Sequence, residues 1–480
     1  MWDTLIYLPI RYWKKLNNTF NVIKILKRRG IITIIKEIYD FIIKTNYDDL
    51  PDKSIETAKL AYLDTLSVSI AGLKSNEMRI LIEDITKENG KSFLEIENNL
   101  KDEDFSLLLG TLSHVIDYDD VNFTFHGHPS VSLIPPILTY AKYIRAINGR
   151  ELILSYLIGF EVQARIGEDI GDLQYNKGFH TTSTLGIFGA ASSLAKLMNL
   201  SFNEFSNLLG MCTSFSSGTR KNFGTMTKPL HVGLLSRNVY FFSKLVKRGF
   251  TANKNSFAEP MSFAHITTGE HNKLKSLKKL GKIWESDDFG IIIKKYPCCA
   301  YTHRSIDGII KLLETKELQS DSIKKVIAEV NPKVEKVLIY PNATTIAEGK
   351  FSMQYCLAAA IINGKVNLET FTKENLENNS IRKMMDKIEM KVDKDQKDTG
   401  KETRAVINVY TDNTKYQVTI EHPLGHPYNP LTINQIKEKV NDCVDSFISK
   451  TKKKKLINTC RDLPTYSSNE LLDILIQEEG

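Results

Sequence analysis

The sequence predicts a mainly α-helical fold: a large all-helical domain carrying an inserted, smaller α+β lid domain. Three observations point there. From about residue 35 apolar residues return at three- and four-residue spacing. No convincing period-two segment interrupts them before about residue 285. Strand-like text is confined to residues 290–422. The expected division is a basic amphipathic extension at 1–34, the helical domain at 35–289, the lid at 290–422 and a return to the helical domain over 423–480. A chain of 480 residues suits two such bodies better than one core.

Each element has its own signal. Ile55, Ala58, Tyr62 and Leu66 mark one buried helix face, and Pro51–Asp52 sit where that helix would start. Val131–Ala146 is an apolar run with Pro135 and Pro136 near its start. Gly186–Leu197 (GIFGAASSLAKL) carries small residues that let helices approach closely. In the lid, Val326–Val330 reads as a strand. Ala405–Thr411 and Tyr416–Glu421 read as a hairpin around Asp412–Asn413. Tyr416, Val418 and Ile420 alternate there with polar residues, as in a sheet with one wet face. Beyond Pro430, Thr432 reads as an N-cap and the text is helical to the end.

Bulk properties exclude several classes. Hydrophobic residues at 42% and charged residues at 25% are ordinary for a globular protein. The +7 formal charge is a mild excess, and no basic stripe is interleaved with aromatics, so nucleic acid is not an indicated partner. A basic pocket for a polyanionic small molecule fits the same balance. Six sparse cysteines (Cys212, Cys298, Cys299, Cys356, Cys443 and Cys460) indicate a reducing, cytoplasmic setting. The chain lacks CxxC, HExxH, a Walker glycine loop and a three-cysteine cluster pattern, which argues against a metal, an iron–sulfur centre or a nucleotide cofactor. Met1–Gly30 carries seven Lys/Arg and one acidic residue among apolar and aromatic side chains, with no run near the ~20 apolar residues of a membrane span. It reads either as an extra packed helix or as a membrane-surface or targeting segment.

Four stretches concentrate reactive side chains. Ser113–Ser130 (SHVIDYDDVNFTFHGHPS) holds Asp117, Asp119, Asp120, His126 and His128, and carboxylates beside imidazoles make general acid–base pairs. The same set could bind a metal, or serve as helix-capping aspartates in a solvated loop. His180 precedes Thr181, Thr182 and Ser183 at a helix start, a place for an anion. Arg220–His231 (RKNFGTMTKPLH) offers Arg220, Thr227 and Lys228 in a polar loop, with Lys228 before a fixed Pro229 as a carboxylate clamp. Lys294–His303 (KKYPCCAYTH) places adjacent thiols near Lys294 and His303, to be read as buried small hydrophobes or as a proton-exchanging thiol.

Six blocks in order resemble the MmgE/PrpD family: TAKLAYLDTLSVSIAG, IDYDDVNFTFHGHPS, FGTMTKPLHVG, YPCCAYTH, FSMQYCLAAAIINGKV and GHPYNPLT, spanning about residue 35 to the C-terminus. That family includes 2-methylcitrate dehydratase, cis-aconitate decarboxylase and iminodisuccinate epimerase. The resemblance implies a homodimer, a site between helical and lid domains, a small polycarboxylate substrate and no metal or organic cofactor. Carried over by motif, Asp117, His128, His180, Lys228, Lys294 and the lid residue Tyr340 are the expected catalytic residues. His231 matches the histidine of the TMTKPLH block, and Thr227, His303 and Arg220 are expected beside the substrate.

The expected activity is a lyase, dehydratase or decarboxylase, using proton transfer next to a carboxylate. Dehydratase and decarboxylase members carry an FPA-type motif with a histidine near the position of Cys299. Tyr-Pro-Cys-Cys stands here and resembles the epimerase side, which makes epimerisation by Cys299 with a Lys or His the alternative. A binding protein without turnover is the rival from another class.

Overall fold

The structure, a computed structural model, describes residues 34–258, 261–269, 274–396 and 403–476. The basic N-terminal segment and the roles expected of it lie outside the described residues. The helix α1 (Asp52–Gly72) starts at the expected Pro51–Asp52 pair and buries Ala58, Ala61, Tyr62 and Leu66. Helices α2 (Asp102–His114), α3 (Pro129–Tyr143), α4 (Gly149–Asn176), α5 (Gly186–Leu197), α6 (Phe202–Phe215) and α7 (Thr227–Lys247) follow. α3 begins two residues ahead of the expected run, so Pro135 and Pro136 stand inside it rather than near its start. α4 opens on a capping box of Asn148 and Glu151. The small-residue helix α5 packs against α3, α4, α6 and α7, the crowded position its composition called for.

One crossing fixes the geometry of the site. A Cβ built on Gly110 of α2 would lie 2.9 Å from Gly233 Cα, and one on Gly233 would lie 2.6 Å from the Leu107 carbonyl oxygen. α2 and α7 therefore touch backbone to backbone, which only glycine permits. The crossing brings the residues that follow α2 against the first turn of α7.

The second body begins with α8 (Ala300–Lys316), β1 (Lys325–Val330) and α9 (Met353–Asn363). It continues with β2 (Ile388–Val392), β3 (Ala405–Tyr410) and β4 (Lys415–Ile420). The strand order is β2-β1-β3-β4, with β1 parallel to β2 and the other pairs antiparallel. β2 was not foreseen. α8 lies against β3 and β4, and α9 against β2. Tyr416, Val418 and Ile420 turn inward while Lys415, Gln417 and Thr419 are exposed, matching the expected alternation. Thr432 caps α10 (Ile433–Val444), and α10 and α11 (Lys450–Arg461) return to pack on α1.

Buried apolar side chains form two principal clusters. The larger spans Ile35 to Ile293 and resumes from Leu431 to Leu475; the smaller joins Tyr296 through Val409 and takes in Tyr175 and Phe223 from the first body. All six cysteines are buried free thiols. Among the described residues no helix is long and apolar enough to cross a membrane.

Candidate active site

Where the two bodies meet, a pocket is lined from the first by Asp117, His126, His128, Tyr175, His180, Phe223 and Lys228, from the segment joining them by Lys294 and Cys299, and from the second by Tyr301 and Phe351. Asp117 lies just beyond α2 with φ at 56°, left-handed backbone that costs a non-glycine residue roughly 1–3 kcal/mol and survives only where its surroundings impose it. What imposes it is charge. Lys228 Nζ, from the first turn of α7, stands 2.6 Å from Asp117 Oδ1. Lys294 Nζ donates to the same oxygen at 3.0 Å and to the Asp117 carbonyl at 2.7 Å. All three side chains are buried. Burial alone would raise the Asp117 carboxyl, but Lys228 and Lys294 hold it well below the usual range. Burial would lower the Lys294 ammonium, and Asp117 and Asp119 outweigh it.

Lys294 is held from both sides. Ile292 pairs with Val121, and Ile293 N–H donates to the Gly425 carbonyl at 3.1 Å. A Cβ on Gly425, whose φ is +89°, would lie 1.8 Å from Ile293 O, so the glycine of the GHPYNPLT block sets the height of Lys294.

The three aspartates of the DYDD run divide their work. Asp119 lies 2.8 Å from His128 Nδ1 and 2.9 Å from His114 Nδ1; burial would raise its carboxyl, but the two imidazoles keep it well below the ordinary value. Asp120 accepts from Ser130 N–H at 3.2 Å, capping α3, and burial raises its carboxyl to about 8. Asp117 takes the lysines. His128 Nε2 lies 3.7 Å from Asp117 Oδ1, so one ring is oriented by Asp119 while its other nitrogen faces the pocket.

Burial, with Lys228 adding, lowers His180 well below the imidazole norm and His231 to about 4; burial likewise lowers His128, with Asp119 opposing. The imidazoles are neutral at neutral pH. His180 Nδ1 and His231 Nδ1 are 3.0 Å apart, while His180 Nε2 and Asp117 Oδ2 are buried without a hydrogen-bond partner among the described residues. Orphaned polar atoms lining a pocket mark where a ligand's polar groups go.

Other expected residues are placed differently. Of the hydroxyl residues after His180, Thr182 lines the pocket, whereas Thr181 and Ser183 do not. Thr181 donates to the His126 carbonyl, Thr182 Oγ1 accepts from His128 N–H and Ser183 donates to the His231 carbonyl, so they brace the histidine loop. Arg220 stacks on Tyr175 at 3.8 Å and donates to the carbonyls of Tyr175 and Lys336. Thr227 is exposed, and His303 donates through Nε2 to the Cys298 carbonyl at 3.2 Å. None of these three lines the pocket. Tyr340 donates to the Phe223 carbonyl at 2.7 Å, bracing a pocket wall. Cys299 does face the pocket, but burial and then Asp117 push its thiol up to about 12. The sequence reading does not single out His114, which joins the site through Asp119; its one available signal is its place one turn before Asp117.

The ligand atoms of His114, Asp117, Asp119 and His128 lie within 4.8 Å of one another, close enough to hold one cation. The two ammoniums occupy Asp117 Oδ1 and leave its Oδ2 unpaired among the described residues, so that oxygen is the one Asp117 could offer to a cation.

A two-body helical fold with an ammonium- and imidazole-lined pocket at the junction defines the class. The model for the MmgE/PrpD N-terminal domain matches residues 36–275 and that for the MmgE/PrpD C-terminal domain matches 296–463. The chain belongs to the MmgE/PrpD family. Its relatives include the cis-aconitate decarboxylase of Homo sapiens, 24% identical over 89% of this chain and 91% of the relative. Those of Mus musculus (24%, over 73% and 75%) and Aspergillus terreus (23%, over 71% and 74%) are also similar. Lyase chemistry is thus the activity these relatives carry.

Proposed function

We propose that this protein is a lyase of small polycarboxylates, and that decarboxylation of a cis-aconitate-like tricarboxylate is its reaction. The observation that carries the reading is the pair of buried ammoniums, Lys228 and Lys294, meeting at Asp117 on a pocket walled by neutral imidazoles. A carbon beside a carboxylate gives up a proton, or a carboxyl group, only if the negative charge that develops is met by fixed positive charge in a dry site. The lysines supply that charge without reorganising. In a decarboxylation the bond to the departing carboxyl breaks, its electron pair passes into the adjacent unsaturated carbons, carbon dioxide leaves, and a proton is added to carbon. The protonated groups on the pocket are the Lys228 and Lys294 ammoniums; one of them gives up that proton and regains it from solvent, while neutral His128, held at Asp119, serves as the base in the reverse direction. A dehydration would use the same groups as base and acid in turn. Epimerisation through Cys299 receives less support, because a thiol pushed up to about 12 is a poor base at neutral pH. The homodimer implied by the family forms part of the same proposal.

The test is proton NMR of the purified chain in deuterium oxide with a chelator present. The acids are cis-aconitate, citrate, 2-methylcitrate, itaconate and an aspartate-derived dicarboxylate. Conversion of cis-aconitate to a five-carbon diacid carrying one deuterium supports the reading. Deuterium entering a dicarboxylate with its skeleton unchanged would replace it with an epimerase, and loss of water from 2-methylcitrate alone would replace it with a dehydratase.

A further inference from the structure

Between Asp117 and Asp119 stands a residue that the proposed chemistry leaves unused. Tyr118 is buried, and elements outside the pocket hold both of its polar ends. Its hydroxyl donates to the Lys295 carbonyl at 3.0 Å. Its own carbonyl accepts from Lys439 Nζ, on α10, at 2.8 Å, and that ammonium stands 4.4 Å from the centre of the Tyr118 ring. Lys439 is paired in turn with Asp64 of α1, Nζ to Oδ1 at 2.5 Å, with both side chains buried.

These contacts close a ring around the charges of the pocket. Lys294 Nζ reaches Asp117 twice, at its carbonyl (2.7 Å) and at Oδ1 (3.0 Å). The next residue on each side of that contact is joined as well, Tyr118 to Lys295. Two neighbours in one segment are thus fastened to two neighbours in the other, and Lys294 cannot draw away from Asp117 while Tyr118 holds Lys295. Lys439 fixes a further point, the peptide that leads from Tyr118 to Asp119. Asp117 itself has left-handed backbone, φ 56°, which only firm surroundings maintain.

Plain stability accounts for this arrangement less well. A buried ion pair contributes little net stability, and apolar side chains of similar size would join α1 to α10 as firmly. This pair is also incompletely satisfied, because Asp64 Oδ2 is buried without a hydrogen-bond partner among the described residues. Apolar side chains could not donate to the Tyr118 carbonyl, and that is what Lys439 does.

We propose that Tyr118, backed by Lys439 and Asp64, is a positioning residue that holds the Lys294 ammonium at its distance from Asp117, so that α10 belongs to the scaffold of the site. This inference rests on the lyase reading, in which Lys294 supplies charge and a proton to the reacting carbon. A charged group displaced by about 1 Å costs on the order of a hundredfold in rate, so modest slack at Tyr118 is measurable.

The experiment measures kcat and KM for carbon dioxide release from cis-aconitate, with melting temperatures, for the wild type, for Tyr118→Phe and for a double variant, Asp64→Asn with Lys439→Met, which removes the pair without stranding either charge. In both variants kcat is expected to fall about tenfold or more while KM stays within about twofold, because what is lost acts in the transition state. The double variant is expected to melt level with the wild type or above it. Full turnover in either variant overturns the inference. So does a loss of kcat that only follows the melting temperature across the set, the mark of a structural contact. A wild type that leaves cis-aconitate untouched strikes the lyase reading first and this inference with it, whereas an active wild type beside an equally active Tyr118→Phe strikes this inference alone.

Discussion

Lys228 Nζ and Asp117 Oδ1 stand 2.6 Å apart with both side chains buried, tying the first turn of α7 to the residues that follow α2. Lys294 reaches the same oxygen, so Asp117 is the shared counter-ion of two ammoniums. Asp117→Asn leaves both lysines uncompensated. The expected cost is about 3–5 kcal/mol in denaturant unfolding at neutral pH. Turnover is expected to fall by at least roughly a hundredfold, since the lysines would lose their geometry. The wild-type Asp117 carboxyl is depressed in the folded state, so its stabilisation is full above the unfolded carboxylate range and is lost as pH falls toward the folded value. Asp117→Asn lacks that acid-dependent component, and unfolding midpoints measured across acid pH check this.

The contact between Gly110 and Gly233 sets how closely α2 and α7 approach. Gly233→Ala would push a methyl group into the Leu107 carbonyl oxygen and the Thr111 hydroxyl. A loss of about 1–3 kcal/mol in stability is expected, together with lower activity, because Lys228 moves away from Asp117 with its helix.

Buried imidazoles give the protein an acid weakness. His231 is lowered from 6.5 to about 4 and His114 from 6.5 to about 3, burial being the first cause of each. The unfolded chain binds these protons first, so stability falls as pH drops from 6.5 through those values. In His231→Gln the decline between pH 6.5 and about 4 is expected to be shallower, measured by urea midpoints at each pH. The depressed histidines also place the acid limb of activity below 6.5.

Cys299→Ser separates a pocket wall from a working base. With its thiol pushed up to about 12, Cys299 is protonated at neutral pH, and the serine variant is expected to keep turnover within about threefold. A loss of several hundredfold with unchanged substrate affinity would return the epimerase reading.

Much of the site was legible because its parts lie in short runs with unusual chemistry. DYDD beside HGHPS showed acid–base potential before any contact was known, and Lys228, Lys294, His180 and Cys299 do converge on one pocket. Residue type alone misplaced others. Arg220 and Thr227 sit in a polar loop, but orientation follows from tertiary packing, which turns Arg220 onto Tyr175 and Thr227 outward. β2 escapes the sequence reading although Ile388, Met390 and Val392 alternate with Glu389 and Lys391, because five residues set in charged text give too short a period to read.

The measurement that bears most directly on the central claim is carbon dioxide release from carboxyl-labelled cis-aconitate, with a chelator present, by the wild type and by Lys228→Met. The account expects one equivalent of carbon dioxide per acid consumed by the wild type and loss of that release in Lys228→Met. Wild-type protein that consumes no cis-aconitate, or a Lys228→Met variant that releases carbon dioxide as fast as the wild type, would contradict it.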